Sequence, residues 1–558
     1  MEEKTNQIPS SEKATENGII STKDVSPAQK LSFTENLKKK TLSFLSDKYN
    51  LVFLLILFLA FLIRLKYISQ ESLWNDAAVH LWLAIKVTKA PSLFFSWGYL
   101  LGDYAPIQTL TALFYLFTKN ILLSGKIVAM LYALAGVIFM YLLGTELKNK
   151  FTGLIATALL TFNHLFWFYS IRPLADSPLL VTTIILLYCM IKLEHTNKIL
   201  WGITSGIMFL AAMFTKAQSS LYVFALVIYY LLFKRKEMIK NKAVLVSWLI
   251  PVGSVLVAHF VAKLLFKIRG LDRIFNLFLA RRGMPFGFEA LGMLEWIFSW
   301  YLIPFVVLGA LFVIFYKKKE YYFGIILFLF YWLFFEINVD NTQDRYMLPL
   351  LSVAVILAAF ALDELGSYIS LFTHKAVKYF VVIGAVLLIS WNYYQVGDPL
   401  IYNKSFSYLG YEEAGTWLKE NVPEKDPIFA GEYRSIRLFA EREFGGPPQD
   451  LDLGGSIWNL RSPYRYTENY DNVSQKNFEE DVKNLSRESD VYLEVDVWEY
   501  YQPKWYWPIT QQSLDYFGSL GFKLVKVVER DVLVDGNPQK MPVIFIFKKD
   551  KEISKGTD

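Results

Sequence analysis

The sequence predicts a mainly α-helical polytopic membrane protein with about eleven transmembrane helices and a soluble α/β domain at its C-terminal end. Its 558 residues are 54% hydrophobic, 17% aromatic and only 19% charged, whereas about a quarter of the residues in an average soluble protein are charged. The apolar residues form runs long enough for the roughly 20-residue helix that crosses a bilayer, and basic clusters separate these runs. No run of this kind follows residue 396.

The net charge and the number of cysteines exclude several classes of protein. The formal net charge is +6, and because the basic residues cluster between apolar runs, this charge reflects membrane topology and not affinity for nucleic acid. The single cysteine, Cys189, lies inside an apolar run. An intramolecular disulfide and a cysteine-rich metal site are therefore excluded, and we interpret Cys189 as a small core residue.

Residues 1–45 are predicted to form a disordered cytoplasmic tail. The segment 1–36 begins MEEKTNQIPSSEKATENG and has too few apolar residues to offset the entropy cost of ordering. The first apolar run follows LKKK at 37–40 and lacks the short pattern of a cleavable signal peptide. We expect this run to be an uncleaved anchor whose N-terminal side faces the cytoplasm.

The predicted transmembrane domain covers residues 46–396. Its apolar runs lie at 51–65, 122–143, 152–170, 177–193, 199–216, 218–233, 244–266, 294–316, 321–338, 346–363 and 376–396. With a cytoplasmic N-terminus, the cytoplasmic loops contain ELKNK, EHTNK, KRKEMIKNK and YKKKE, which agrees with the enrichment of Lys and Arg on that side. The outer loop 267–293 is a basic exception, with Lys267, Arg269, Arg273, Arg281 and Arg282. We interpret it either as a tolerated loop or as a site for an anionic ligand.

The other long outer loop, 69–121, contains a short apolar stretch from Ile107 to Phe117. This stretch is too short to span a bilayer comfortably, and a span here would move KRKEMIKNK and YKKKE to the outer side. We therefore predict a half-buried helix in the outer loop. The odd number of spans then places residues 397–558 outside the cytoplasm.

Residues 397–558 are predicted to form the extracytoplasmic α/β domain. EEAGTWLKENV has the apolar spacing of an amphipathic helix, whereas PIFAG, SDVYLEVDV and VIFIFKK are typical of strands. QQSLDYFGSLGFKLVKVV indicates a helix followed by a strand. Three Asn-x-Ser glycosylation acceptors, Asn403, Asn472 and Asn484, fall in this domain, which suits an extracytoplasmic location.

The loop after the first span, ESLWNDAAVHLWLAIKV, places a carboxylate, Asp76, close to membrane level. Asp is a preferred helix N-cap, so this residue taken alone favours a capping role. Trp74 suits the interfacial aromatic belt, and we interpret His80, one turn later, as an interface residue. Asp76 is therefore a candidate for chemistry with a capping role as its alternative.

Further ionisable residues are predicted at the same outer ends of the apolar helices. Arg172 and Asp176 precede the fourth span, where Asp176 could cap the helix or be neutralised by Arg172. Lys216 ends the fifth span and Arg345 and Tyr346 begin the tenth, with interfacial anchoring as their alternative role. Because cations normally concentrate on the cytoplasmic side, this coincidence indicates a site for an anion at membrane depth, such as a polyprenyl phosphate.

An ordered series of motifs at these positions resembles the GT-C class of integral-membrane glycosyltransferases. The series comprises WNDAAVHLWLA, YAPIQTLTALFYLF, R-x-x-x-D-S-P-L from Arg172 to Leu179, FTKAQSSL and DRYMLPLLSVAVILAA. Across about residues 50–365 it is similar to the dolichyl-phosphate-mannose-protein mannosyltransferases and to the aminoarabinose transferases that modify lipid A. Relatives commonly have Asp-Glu where this chain has Asp76-Ala77, and some have Lys-Pro where it has Ala105-Pro106.

The resemblance implies a GT-C-like catalytic domain that transfers a sugar from a dolichyl- or undecaprenyl-phosphate donor to an extracytoplasmic protein, lipid or glycan. Asp76 would be the catalytic base, and Asp176 would orient the acceptor or a cation. The residues that would bind the donor phosphate are Lys216, Arg345, Arg172 and Tyr346. Attack by an acceptor that a single base activates would invert the anomeric centre.

Three other functions are compatible with the sequence. A polytopic transporter or flippase would also have many spans and buried charges, although no internal repeat is evident. A related enzyme could transfer a whole oligosaccharide, and a membrane-anchored binding protein could carry its function in residues 397–558. No cofactor is predicted, because two separated aspartates form no recognisable metal motif, but a divalent cation is compatible with them. The expected location is the cell membrane, with lipid and no nucleic acid as partner.

Overall fold

The computed structural model of the protein describes residues 41–91, 105–266, 288–338, 343–442, 460–461, 472–498 and 509–552. Two compact units, Met1–Leu51 and Val52–Asp558, divide the chain, and every contact between elements discussed below lies within the second unit. Most of the predicted N-terminal tail lies outside the described residues. The five basic residues of the predicted outer loop 267–293 also lie outside them.

The described part of the chain before residue 405 is built from helices. They are α1 (Lys48–Leu65), α2 (Asn75–Lys89), α3 (Ala105–Thr118), α4 (Ile121–Leu147), α5 (Lys150–Phe162), α6 (His164–Ser170), α7 (Asp176–Thr196), α8 (Ile199–Thr215), α9 (Leu221–Phe233), α10 (Glu237–Lys240), α11 (Lys242–Phe266), α12 (Glu289–Phe315), α13 (Tyr322–Asn338), α14 (Asp344–Met347), α15 (Leu351–Phe372) and α16 (Lys375–Lys404). Turns of 3₁₀ helix at Ala217–Ser220, Lys319–Tyr321 and Leu348–Leu350 lead into α9, α13 and α15.

Within the described ranges, seven helical segments are long and apolar enough to cross a membrane. They centre on α1, α4, α7, α12, α13, α15 and α16, while α5 and α6 together form an eighth that bends by 63°. α8, α9 and the first half of α11 are shorter apolar helices. Many large apolar side chains of these helices are exposed, so the chain is an integral membrane protein whose helices face lipid. Each predicted apolar run lies on one of these helices, except the run 152–170, which covers two. The number of spans and their orientation stay predictions.

Asn163 bends the third predicted span. Its Oδ1 accepts a hydrogen bond from the backbone N–H of Phe166 at 3.0 Å, and its Nδ2 donates to the carbonyl of Ile297 on α12 at 2.9 Å. An Asn side chain that accepts from a free backbone donor starts a new helix. The run 152–170 is therefore two helices, because hydropathy reports apolar composition and not direction.

The apolar stretch in the outer loop forms α3, a helix of 14 residues. Ile107 and Ala112 are buried on one side, whereas Leu113 and Leu116 are exposed. α3 is thus half-buried, and its position outside the membrane stays a prediction.

α12 and α15 approach each other closely at a glycine. A Cβ built on Gly309 would overlap the carbonyl group of Leu357 on α15. That carbonyl belongs to a helix backbone and cannot rotate away as a side chain would. Because small residues permit such an approach between membrane helices, Gly309 sets the separation of α12 and α15.

Gly309→Ala is expected to lower the unfolding temperature of the purified protein, because overpacking of this kind costs about 1–3 kcal/mol. Gly384→Ala on α16 is the matched control, since nothing lies within 4 Å of a Cβ built there and alanine favours a helix by about 1 kcal/mol over glycine. Thermal unfolding in detergent measures both variants. Equal unfolding temperatures would contradict the close approach.

A buried carboxylate anchors one end of the helices, at the side predicted to be cytoplasmic. Asp363 of α15 is fully buried, and its oxygens lie 2.7 Å from the Lys148 amine and 2.6 Å from the Lys378 amine. Asn149 and Thr152 donate to the same carboxylate at 2.9 Å each. These contacts join the α4–α5 connection, α15 and α16.

Beyond Lys404 the described chain forms a five-stranded sheet in the order β2-β1-β3-β5-β4. Its strands are β1 (Ile428–Ala430), β2 (Leu460–Arg461), β3 (Val491–Asp496), β4 (Lys523–Val534) and β5 (Asn537–Lys549). β1 runs parallel to β2 and β3, whereas β5 is antiparallel to β3 and β4. The helices of this region are α17 (Tyr411–Asn421), α18 (Tyr433–Ala440), α19 (Asn472–Ser486) and α20 (Gln511–Ser519).

Alternation along β3 gives the sheet two apolar faces, because successive side chains point to opposite sides of a strand. Tyr492 belongs to the cluster that α17 and α18 cover. Leu493 and Val495 belong to the cluster that α19 and α20 cover. The sheet therefore has a helix pair on each face.

The sheet is joined to the outer loop that leads into α2. Arg530 on β4 lies between two carboxylates, because its Nε donates to Glu71 at 2.9 Å and its Nη1 donates to Glu413 at 2.7 Å. Glu71 also accepts from the backbone N–H of Gly410 at 2.7 Å. Charge-assisted hydrogen bonds are stronger than neutral ones, so the C-terminal region fixes the chain just before α2.

Candidate active site

The first turn of α2 carries Asp76. Trp74 is the N-cap of this helix and makes no side-chain capping bond, so the capping interpretation of Asp76 is wrong. Instead, Asp76 Oδ2 accepts a hydrogen bond from Arg345 Nη1 at 2.6 Å. The Asp76 side chain is 50% exposed, which leaves its carboxylate accessible to a substrate.

Burial and neighbouring charge act in opposite directions on Asp76. Burial raises the pKa of its carboxyl group, but the Arg345 guanidinium lowers it, and the resulting pKa is below the ordinary value. His80, one turn later and buried, has its pKa lowered to about 4 by burial. At neutral pH the site therefore holds an ionised Asp76 and a neutral imidazole.

A second ion pair joins the start of α7 to the end of α8. The Lys216 amine donates to Asp176 Oδ1 at 2.6 Å, and the two side chains are 11% and 2% exposed. Ala175 is the N-cap of α7 and no side chain caps the helix, so a capping role for Asp176 is also wrong. Since removing one partner of a buried pair leaves an uncompensated charge, each residue holds the other in place.

The ring of Tyr346 lies between the two ion pairs. Its centroid is 4.8 Å from the Lys216 amine and 5.4 Å from the guanidinium carbon of Arg345. Cations within about 6 Å of an aromatic face are attracted to it. Five of the six residues predicted for the site therefore share this arrangement, and Arg172 is the sixth.

Arg172 faces backbone and aromatic rings, and not Asp176. Its Nη1 donates to the carbonyl of Phe168 at 2.7 Å, and its guanidinium carbon lies 3.7 Å from the Phe168 ring centroid and 5.4 Å from that of Trp74. The idea that Arg172 neutralises Asp176 is wrong, because Lys216 occupies that position. The chain leaves α6 before Asp176 begins α7, so the two residues do not share a helix face.

Sequence reasoning missed the residues that hold Arg345. Asp344 Oδ1 accepts from the Arg345 backbone N–H at 2.7 Å and from the Tyr169 hydroxyl at 2.8 Å. Asp344 Oδ2 accepts from the Trp296 indole at 3.1 Å, and Gln343 Oε1 accepts from Arg345 Nε at 2.7 Å. The adjacency of Asp344 and Arg345 is the only signal of this network in the sequence, since Tyr169 and Trp296 lie on other helices.

A cavity of about 900 Å³ opens beside Arg345, and its lining includes Trp74, Tyr169 and Trp296. An apolar groove of about 770 Å³ between α12 and α13 shares Gly292 with this cavity. Apolar grooves with a few convergent polar groups are typical ligand sites. A ligand with a long hydrocarbon chain and a charged head fits this combination.

The residues that could contact a divalent cation are Asp76 and Asp176. Each pairs with a basic side chain, and in the part of the chain that the structure describes no group of three or more His, Cys, Asp or Glu is arranged to hold a metal ion. Dependence on a divalent cation stays an expectation for experiment.

The sequence matches one family model. Residues 106–262, which include Arg172, Asp176 and Lys216, match the model of the dolichyl-phosphate-mannose-protein mannosyltransferases. No curated protein sequence matches the chain.

Several solved structures share the fold at low sequence identity. ArnT from Cupriavidus metallidurans, bound to undecaprenyl phosphate, is 12% identical with a TM-score of 0.56, over 91% of this chain and 98% of ArnT. The archaeal oligosaccharyltransferase AglB from Archaeoglobus fulgidus, in complex with an inhibitory peptide and a dolichol-phosphate, is 13% identical with a TM-score of 0.56, over 88% and 74%. The mycobacterial arabinofuranosyltransferase AftD is 13% identical with a TM-score of 0.53, over 90% and 40%. The family match over residues 106–262 and the shared fold confirm the resemblance of this chain to the GT-C superfamily of integral-membrane glycosyltransferases.

Proposed function

We propose that the chain is a glycosyltransferase that moves a sugar from a polyprenyl-phosphate donor to an extracytoplasmic protein, lipid or glycan. The main support for this proposal is the meeting of two ion pairs, Asp76–Arg345 and Asp176–Lys216. Arg345 also lines a cavity that shares Gly292 with the apolar groove between α12 and α13. A polyprenyl phosphate combines an apolar chain with an anionic head, which are the two features that the groove and the cations recognise.

Lys216 and Arg345 are the proposed ligands of the donor phosphate. Arg345 offers a planar fork that suits phosphate oxygens, and Lys216 adds a point charge. Tyr346 lies between the two cations and keeps them near one position. The ligands of two structures with the same fold, undecaprenyl phosphate in ArnT and a dolichol-phosphate in AglB, support this donor class.

Asp76 is the proposed general base. Its carboxylate takes the proton of the acceptor hydroxyl while the acceptor oxygen forms a bond to the anomeric carbon of the sugar. The bond between that carbon and the phosphate oxygen breaks, and the released polyprenyl phosphate keeps the electron pair. Lys216 and Arg345 stabilise the charge that develops on the phosphate. A single displacement of this kind inverts the anomeric centre.

Arg172 has a positioning role in this proposal. The resemblance implies a phosphate contact for this residue, but its guanidinium is buried against Phe168 and Trp74. Trp74 is the N-cap of α2. Arg172 therefore acts on Asp76 through the start of the helix that carries it.

The rate of sugar transfer is expected to be independent of pH between about 5.5 and 8, because the carboxylate and the imidazole of the site both titrate below this range. A general base works when deprotonated, and since the pKa of Asp76 is below its ordinary value, activity is lost only as the pH falls below about 4. His80, with a pKa of about 4, adds no step near pH 6.5. A transfer rate at saturating donor that changes tenfold between pH 6 and 7 would contradict this assignment.

A donor panel tests the proposed function. The purified full-length chain in lipid nanodiscs is incubated with radiolabelled polyprenyl-phosphate monosaccharides and a native membrane extract as the source of acceptors. We expect label to enter the acceptor fraction with at least one donor. Failure of every donor, together with no binding of undecaprenyl phosphate, would contradict the proposal.

Transfer of a whole oligosaccharide is the second candidate function, and the shared fold with the oligosaccharyltransferase AglB favours it. A lipid-linked oligosaccharide in the same panel separates the two. Label that enters the acceptor only from this donor would replace the monosaccharide proposal.

The proposed location is the cell membrane, with the N-terminus in the cytoplasm and residues 397–558 outside. This orientation places Asp76 and Asp176 on the outer side and the cluster around Asp363 on the cytoplasmic side. It is supported by the basic loops that the sequence places beside Asp363, such as ELKNK.

A further inference from the structure

The C-terminal region contacts α2 through α18. The contacts occur in the same order along both helices, so the helices run parallel. Arg437 lies over the ring of Trp82, with 5.1 Å between guanidinium carbon and centroid. Lys89, at the end of α2, pairs with Glu441, directly after α18. Arg434, one turn before Arg437, therefore lies beside the first turn of α2.

The first turn of α2 carries Asp76, and the charges of Asp76 and Arg434 act on each other. Burial raises the pKa of Asp76, whereas Arg345, His80 and Arg434 lower it. Arg434 itself is partly exposed, and its guanidinium carbon lies 5.2 Å from the ring centroid of Tyr433. Guanidinium groups from two different parts of the chain, Arg345 and Arg434, thus act on Asp76.

Arg434 is a further cation at the site, and the Tyr433 side chain and the Glu432 carboxylate act on its charge together with Asp76. Among the described residues, the ion pairs at the site are Asp76–Arg345 and Asp176–Lys216, and Arg434 takes part in neither. The cavity beside Arg345 is lined by residues of the membrane part alone. Arg434 is therefore a guanidinium of the C-terminal region that acts on Asp76 from outside that cavity.

We propose that Arg434 binds an anionic group of the acceptor, a phosphate or a carboxylate, and so brings the acceptor hydroxyl to Asp76. This inference rests on the proposed function and adds the chemical class of its acceptor. A guanidinium binds an oxyanion through two parallel hydrogen bonds, which fixes orientation as well as position. The C-terminal region would then select the acceptor, while the membrane part binds the donor.

Arg434→Gln, Arg434→Lys and Lys540→Gln test this assignment. Lys540 is the matched control, because it is an exposed cation of the same region that pairs with Glu529 at 3.1 Å. The acceptors of a native extract are separated by anion exchange into anionic and neutral pools, and transfer to each pool is measured with the full chain. Binding of undecaprenyl phosphate and the unfolding temperature are measured in parallel.

Arg434→Gln is expected to raise the acceptor KM in the anionic pool by about 10- to 100-fold, the effect of losing one charged hydrogen-bonding group. Arg434→Lys should recover part of this loss, and Lys540→Gln should match the wild type. Undecaprenyl phosphate binding should be unchanged in all three variants.

Two results would overturn the role of Arg434 and leave the proposed function standing. They are an unchanged acceptor KM in Arg434→Gln, and a loss of undecaprenyl phosphate binding in that variant, which would make Arg434 a donor residue. Wild-type transfer into the neutral pool only would overturn the anionic acceptor. Absence of transfer by the wild type would instead contradict the proposed function, and this inference with it.

Discussion

Asp76→Asn is expected to lower the rate of sugar transfer by about 10²- to 10⁴-fold, the usual contribution of a general base. The amide has nearly the same volume and keeps an oxygen that can accept from Arg345, but it cannot take the proton of the acceptor hydroxyl. Donor binding should persist, because Lys216 and its partner Asp176 are untouched. Single-turnover transfer from a radiolabelled donor measures the loss.

Asp515→Asn is the matched control for this variant. It makes the same chemical change on α20, where Asp515 is exposed and accepts from Gln511 at 2.8 Å. We expect its transfer rate to equal that of the wild type. A folded Asp76→Asn protein that transfers at the wild-type rate would show that another group is the base, although the enzyme class would stand.

Lys216→Met is expected to have the second large effect, on both stability and donor use. It leaves Asp176, which is 2% exposed, as an unpaired buried charge, and breaking such a pair costs about 3–5 kcal/mol. It also removes a cation from the proposed phosphate site, so kcat/KM for the donor should fall by about 100-fold. Thermal unfolding and donor titration measure the two effects separately.

Two further variants distinguish the loss of stability from the loss of donor binding. Combining Lys216→Met with Asp176→Leu removes both charges, which often restores stability when apolar residues replace a buried pair, yet transfer should stay low. Lys378→Met breaks a Lys–Asp pair with Asp363 at the other end of the helices, and should reduce stability without changing the donor KM. Recovery of transfer in the double variant would show that Lys216 acts only through folding.

Hydropathy and motif order predicted the helical membrane class and the GT-C resemblance, and both are confirmed. A bilayer imposes the length and apolar character of the helices that cross it, so a membrane helix can be predicted from one continuous stretch of sequence. The bend at Asn163 could not be predicted from hydropathy, because it depends on one hydrogen bond from the backbone to the Asn163 side chain.

The sequence could not show which charged residues of the site pair with each other. Proximity along the chain favoured Arg172 for Asp176, but that relation holds only on a continuous helix, and a turn separates the two residues. Lys216 pairs with Asp176 because the end of α8 lies beside the start of α7. Arg434 carries no motif at all, since its place beside Asp76 depends on how α18 packs on α2.

Glycosyl transfer is tested most directly by the stoichiometry of the reaction in sealed proteoliposomes that contain the wild-type chain, a labelled polyprenyl-phosphate sugar and native acceptors. We predict one free polyprenyl phosphate released for each sugar that enters the acceptor, with an inverted anomeric centre. Movement of intact donor between the leaflets, with no polyprenyl phosphate released and no label in the acceptor, would contradict glycosyl transfer and indicate a flippase.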